Sequence, residues 1–445
     1  MLFSSNTYDI IIVGGGISGM FLAYKLSETD LKILLIEGSD TLGGRIKTQH
    51  LSGVTYEAGA ARFHKTHTKL ITLINELGLS DKIMNISNET NYYLRGFLNE
   101  NQNYNNNPLN DKLDCKKLLK KSYQMRHKIP PENLRNLNYF QYLNIIYGHE
   151  KSEFIKDSFG YDSEFLKLNA ESAMIMFKDD FLFDDNNYQI LSGGLSQLID
   201  KMENKIRKFS NIRILKGCKV DEIYDTYLET KNGKFYYDKL ICAIPQKSLK
   251  EYKILKDVDE INHVNPIPLL RIYIKYPKNN IWFKNIKRTI TNHDIRHIIP
   301  IDYENGLIMI SYSDGDSAES WGNIYNNGED FLINVINNEI FRIFGIKPPK
   351  HEFLSYHMWD DGIHFWKPGI SMEDSYLKML KPMENRKIYI CGEAYSKKQG
   401  WMEGCLTTCY DLITKLDLNG IEINTDIDYE KLDKYVDLIK YDINY

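Results

Sequence analysis

The sequence predicts an α/β protein: a doubly wound lobe assembled from three separated segments, with a mixed sheet-plus-helix lobe inserted twice. Three observations carry this. An apolar run, Ile10 to Val13, passes through glycines into an amphipathic stretch in "YDIIIVGGGISGMFLAYKLSE", and a second apolar run follows in "KILLIEGSD". That order of strand, turn, helix and strand opens a doubly wound sheet. A buried run recurs in "LICAIP", and strand–loop–helix returns in "KIYICGEAYSKKQGWMEGCLTTCYDLITKL". The expected division gives 1–70, 190–260 and 385–420 to the first lobe. It gives 71–189 and 261–384 to the second, and 421–445 to a C-terminal tail.

Between these anchors the elements follow from local pattern. Residues 65–190 read as mostly helical, interrupted by "NENQNYNNNPLN", whose composition suits a mobile loop. "CKKLLKK" at 115–121 reads as a solvated helix face. "YQILSGGLSQLIDKM" is a turn into a helix, and "CKVDEIYDTYLETKNGKFYYDKLICAIP" is a hairpin around its Asn-Gly pair. Residues 262–384 mix strands, "LLRIYIKYP" and "GLIMISYS", with helices.

Composition excludes several classes. Of 445 residues 42% are apolar, enough for a large core, and the net charge of -4 gives nucleic acid no electrostatic footing. The six cysteines form no CxxC pair, which argues against a zinc site or a disulfide framework. Cys405 and Cys409, one helical turn apart, read as packing. No apolar run reaches the length of a membrane helix, and "MLFSSNTYDIIIV" lacks a basic leader. The expectation is a soluble, cytoplasmic protein without a membrane anchor.

Gly14, Gly16 and Gly19 form GxGxxG between strand and helix. The first permits a tight turn, the second lets a pyrophosphate approach the backbone, and the third lets helix and strand pack. Ile17 and Ser18 then open the helix, whose free N–H groups and dipole favour an anion. Glu37 and Gly38 end the next strand, where an acid accepts from ribose hydroxyls. Together these predict dinucleotide binding, and the acid disfavours a 2′-phosphate.

"GSDTLGGRIKT", "YEAGAAR", "GGLSQL", "CKVDEI", "LICAIP", "SYSDGDSAESW" and "CGEAYSKKQGWMEG" occur in that order. The set resembles the FAD-dependent amine oxidase superfamily, with its monoamine, polyamine and L-amino acid oxidases. The resemblance implies a Rossmann-like FAD-binding lobe and an inserted substrate-binding lobe. It implies that Gly44 and Arg45 meet the FAD pyrophosphate, Val220 the adenine, and Gly392 and Glu393 the ribityl or pyrophosphate region. Gly59, Ala60, Ala61 and Arg62 would lie beside the flavin ring, and Gly400, Trp401 and Met402 would run along it. Trp401 would be one wall of an aromatic cage. Alignment on Gly362 places the opposite wall near His364, with Phe365 and Trp366 as alternatives. Ile363 stands where monoamine oxidases attach flavin through cysteine, so FAD is expected to be noncovalent.

Two positions depart from the superfamily pattern. A lysine beside flavin N5 is replaced by Arg271 in "RIYIKYP", with Lys275 as the other candidate. Arginine stays protonated and cannot act as a base. Arg62 resembles the arginine that L-amino acid oxidases pair with the substrate carboxylate. It fits two roles, a substrate clamp or a brace on flavin or backbone. The matching tyrosine has no counterpart in "RHIIPIDYENG", where Ile298 and Ile299 stand nearest and Arg296 and His297 are polar candidates. His64 and His67 invite a catalytic reading, but His67 opens an amphipathic helix and reads as a capping or surface residue, and no metal constellation is expected.

The function these features imply is oxidation of a small amine or amino acid. Hydride passes from the α carbon to FAD, and the imine hydrolyses to a carbonyl compound and ammonia. Molecular oxygen reoxidises the flavin to give hydrogen peroxide. The alternatives are an FAD-dependent C–C dehydrogenase or desaturase with another acceptor, favoured by Arg271, and a flavin-binding protein without turnover.

Overall fold

The computed structural model describes residues 6–87, 89–100, 114–178 and 188–416. Its first sheet has seven strands drawn from three distant stretches of chain. The strand Thr7–Val13 pairs in parallel with Ile33–Ile36 on one side and Gly233–Cys242 on the other. Ile212–Leu215 and Ile388–Ile390 extend the parallel set. Tyr227–Thr230 and Val220–Ile223 add an antiparallel edge. Parallel strands covered on both faces read as continuous apolar runs. Ile10, Ile11, Ile12, Leu34 and Leu35 are accordingly buried. Full burial of each such side chain contributes about 1.5–3 kcal/mol.

The second sheet runs in the order Phe353–Trp366, Val264–Lys275, Leu307–Asp314, His297–Asp302, Arg288–Thr291, Thr90–Leu94 and Phe97–Glu100. The helices Gly315–Tyr325 and Glu329–Phe344 cover it through Ala318, Trp321, Ile336 and Ile340. The reading of 65–190 as mostly helical misses one pair of strands here. Thr90–Leu94 and Phe97–Glu100 form a hairpin that joins this sheet parallel to Arg288–Thr291. Arg95 and Gly96 make its turn, both with positive φ, as a two-residue hairpin requires.

Helices fill most of the rest of that stretch, from Cys115–Met125 to Ala170–Phe177. In "CKKLLKK", Cys115 and Leu119 face inward while Lys117 and Lys120 face solvent. The expected mobile loop beyond residue 100 and the C-terminal tail lie outside the described residues. No described helix is long and apolar enough to cross a membrane. Among the described residues no three His, Cys, Asp or Glu side chains cluster as a metal site.

Candidate active site

One cavity of about 730 Å³ runs from the glycine turn to the second sheet. The turn is shaped by two glycines in different ways. Gly14 has φ +108°, a conformation side chains avoid, and a Cβ on Gly19 would stand 1.9 Å from the Gly14 carbonyl oxygen. Gly16 is different. Its φ of -70° suits any residue, and a Cβ there would meet no protein atom within 4 Å. It lines the cavity instead. The helix Ile17–Leu26 starts here with no side-chain cap and no acid in its first turn. Its N–H groups are thus left for a ligand.

Glu37 closes the same end. Its Oε2 accepts from Gly15 N at 2.6 Å, and its Oε1 accepts from Ser39 N at 2.8 Å. Gly38, Gly44, Arg45 and Val220 complete this part of the wall. Arg45 Nη1 donates to Glu393 Oε2 at 2.7 Å and to the Gly362 carbonyl at 2.8 Å. Glu393 is buried and joins three segments. It also accepts from His364 N, His364 Nδ1 and Gly400 N, each at 2.9 Å. Burial pushes its carboxyl up, but Arg45 and His364 outweigh this and hold it well below the carboxylate range.

The structure places Gly59, Ala60, Ala61, Arg62, Gly392, Gly400, Trp401 and Met402 on the wall, with Ile17, Ser18 and Arg271. Two predicted residues lie off it. Gly19 sits behind the turn, as its packing role requires. His364 is the correction: it is wholly buried and absent from the wall. Side chains alternate along a strand. In Phe353–Trp366 the residues Trp359, Ile363 and Phe365 therefore reach the cavity, while His364 and Trp366 point to the far side. Of the three candidates for the opposite wall, only Phe365 lines the cavity.

His67 is a second correction. It is fully buried at the N-cap position of Thr68–Glu76, gives no side-chain cap, and its ring stands edge-on to Trp401 at 4.9 Å. Glu403 caps that helix instead, accepting from Lys69 N at 3.1 Å and Leu70 N at 2.9 Å. His64 is buried too.

At the inner end Arg271 Nη1 donates to the Glu57 carbonyl at 3.0 Å, and its guanidinium lies 4.4 Å from the Tyr312 ring centre. Lys275 is buried away from the cavity and paired with Glu352. Arg62 Nη2 donates to Tyr161 Oη at 3.4 Å, and the guanidinium lies 4.5 Å over Tyr188. Tyr188 in turn stacks on Trp401 at 6.0 Å. No carboxylate of the described residues pairs with Arg62. Burial opposes its charge, but Tyr161, Tyr188 and Tyr312 outweigh that and keep it protonated.

The tyrosines here come from outside "RHIIPIDYENG". Ile298 packs in the second core, and Ile299 packs against Tyr273 and Met309. Arg296 is tied to Asp162. His297 is buried against the Tyr161 ring at 4.3 Å, and burial, with Arg288 and Arg62, holds it neutral. Sequence reasoning missed Tyr161, Glu164, Tyr312 and Trp359, all on the wall.

A family model described as flavin containing amine oxidoreductase matches residues 17–410. The Dictyostelium discoideum protein named "Probable flavin-containing monoamine oxidase A" is 23% identical over 267 residues, 54% of this chain and 58% of its own length. A coproporphyrinogen III oxidase of Mycobacterium tuberculosis is 42% identical over 74 residues, 16% of each chain. The chain thus spans just over half of one curated relative and a small part of the other. Among solved structures, a putrescine oxidase variant superposes with a TM-score of 0.74 at 16% identity, covering 92% of this chain and 99% of that one. That likeness shows the fold alone.

Proposed function

The chain belongs to the flavin-containing amine oxidoreductases, whose cofactor is FAD, and from that premise we propose that it oxidises an α-amino acid. The observation that carries this is Arg62. A guanidinium stands on the cavity wall, oriented by Tyr161 and Tyr188, with no ion pair to a carboxylate of the described residues. A half-buried guanidinium with no counter-charge is costly to hold against an apolar wall. A substrate carboxylate would complete it with paired hydrogen bonds.

The residues present fit FAD. The open space over Gly16, the uncapped helix at Ile17 and the acid at Glu37 match pyrophosphate and ribose. Arg45 would neutralise the pyrophosphate, Val220 would meet the adenine, and Gly400 to Met402 would line the ring. When bound, FAD supplies a two-electron acceptor that oxygen can return to its oxidised state with release of hydrogen peroxide. The protein's share is orientation and exclusion of water. Arg62 holds the substrate carboxylate, while Trp401, Phe365 and Tyr312 confine the α carbon. With FAD bound, a substrate held by Arg62 would be positioned to lose hydride from its α carbon, and the imine so formed would hydrolyse after release. Arg271 takes no proton, because Tyr273 and Tyr312 outweigh the effect of burial and keep it charged. The amine therefore enters neutral.

Two expected outcomes follow for the cofactor. Gly16→Val costs about 1 kcal/mol of folding stability, the effect of a poorer N-cap, since a Cβ there meets no protein atom within 4 Å. The same variant loses FAD, read as absent flavin absorbance after purification. Acid precipitation of the wild type releases all of its flavin, because Ile363 offers no thiol.

A second reading, C–C dehydrogenation with another acceptor, is favoured by Arg271, whose guanidinium is committed to Glu57 and Tyr312. The test is anaerobic reduction by a screen of amino acids and amines, followed by air. Return of the flavin bands in air supports the oxidase. A flavin left oxidised by every amine and amino acid, but reduced by a C–C dehydrogenation substrate and reoxidised by a quinone, supports the second reading.

A further inference from the structure

Beside Arg62 the wall carries two acids that the proposed reaction does not use. Glu164 belongs to the short helix Ser163–Leu166, and Asp314 ends the strand Leu307–Asp314. Both line the cavity. Asp314 is engaged: its Oδ1 accepts from Asp162 N at 3.2 Å and its Oδ2 from Ser163 N at 2.8 Å. Glu164 is engaged through one oxygen only: its carboxyl accepts from its own backbone N–H, while its Oε2 is buried and has no hydrogen-bond partner. Leaving such an oxygen unpaired costs about 1–3 kcal/mol. An acid and a guanidinium therefore line one cavity with no ion pair between them.

We propose that Glu164 and Asp314 form a subsite for a second, cationic group of the substrate, so that the enzyme takes an amino acid with a basic side chain. The proposal rests on Arg62 holding the substrate carboxylate. An amino acid with a neutral α-amine and a distal ammonium matches the wall: carboxylate to Arg62, distal ammonium to Glu164 beside the charge of Asp314. An acidic side chain there would meet Asp314 as a like charge, and an alkyl chain would leave Oε2 unpaired. The groups facing Glu164 are Asp314, Asp162, Arg62 and Tyr161. Burial, then Asp314, holds the Glu164 carboxyl well above its ordinary range in the free protein.

The test uses the FAD-loaded protein and ligands that have a carboxylate and a distal ammonium but no α-amine. These are 4-aminobutyrate, 5-aminovalerate and 6-aminohexanoate, each compared with the alkanoate of the same length. Calorimetry gives the affinities. The expected result is one ω-amino acid bound at least about tenfold more tightly than its alkanoate. Glu164→Gln narrows that advantage to within about twofold. Glu164→Asp, which keeps the charge on a shorter stem, shifts the preferred ligand toward the longer chain. Alkanoate binding with no gain from the ammonium overturns the subsite alone, as does a gain that survives in Glu164→Gln. Failure of both series to bind overturns the Arg62 clamp and the subsite with it.

Discussion

Replacing Arg62 with alanine lowers flavin reduction by amino acids by about 10²–10³ in kcat/KM and leaves FAD bound. The magnitude is that of removing one partner from a desolvated ion pair, about 3–5 kcal/mol. The contrast with a brace is sharp. Arg62 makes one hydrogen bond, to Tyr161, and otherwise lies over the Tyr188 ring. Burying its charge without a carboxylate opposes folding in the free protein. Arg62→Ala therefore melts no lower than the wild type. The loss appears for substrates with a carboxylate and not for plain amines. Arg62→Lys recovers only part of the rate, because a lysine cannot donate in parallel to both carboxylate oxygens. Stopped-flow reduction and a thermal melt check both halves. Loss of flavin from the alanine variant would make Arg62 a brace.

The second large effect is at Glu393. Its carboxylate is the common acceptor for Arg45, the His364 backbone and ring, and Gly400 N. Glu393→Ala leaves the Arg45 charge and two backbone donors without their acceptor. The expected loss is about 3–5 kcal/mol of stability, with loss of FAD, since Arg45 and Gly400 both line the cavity. The pH dependence has a definite sign. The folded carboxyl lies well below its ordinary value of 4.5. A depressed pKa contributes stability that is fully present above the unfolded value and lost as pH falls toward the folded one. Wild-type stability therefore declines below about pH 4.5 more steeply than that of Glu393→Gln, in which this group no longer titrates. Denaturant midpoints at neutral and acid pH measure the difference. Parallel declines in the two proteins would remove Glu393 from this role.

Much of the first lobe was legible because its signals are local. The run Ile10–Val13, the glycine turn and Glu37 lie within one short stretch, and each residue type answers to a backbone or charge requirement there. The three-segment assembly could be read for the same reason, since "LICAIP" and "KIYICGEA" are buried runs of parallel-strand type. The substrate end was less legible because tertiary packing makes it. Tyr161 and Glu164 sit around the short helix Ser163–Leu166, and only the docking of that helix on Asp314 brings them to the wall. His364 failed on parity. The ladder between Val264–Lys275 and Phe353–Trp366 changes register between Ile267 and Leu269. Alignment on Gly362 does not reveal which face the next residues take after such an irregularity. His67 failed because its helix start is buried under Trp401 and capped by Glu403, a residue more than three hundred positions away. The hairpin at 90–100 had a local signal, Arg95-Gly96 between apolar pairs, that the surrounding helical pattern outweighed.

The central claim is that the substrate carries a carboxylate held by Arg62. Its most direct test is anaerobic bleaching of the bound flavin by matched pairs: L-lysine against cadaverine, and L-leucine against 3-methylbutylamine. Each pair differs only in the carboxylate. Bleaching by an amino acid, with its decarboxylated partner slower by about 10² or more, is the result the structure predicts. Equal bleaching by both members of a pair, or bleaching by the amines alone, would contradict it.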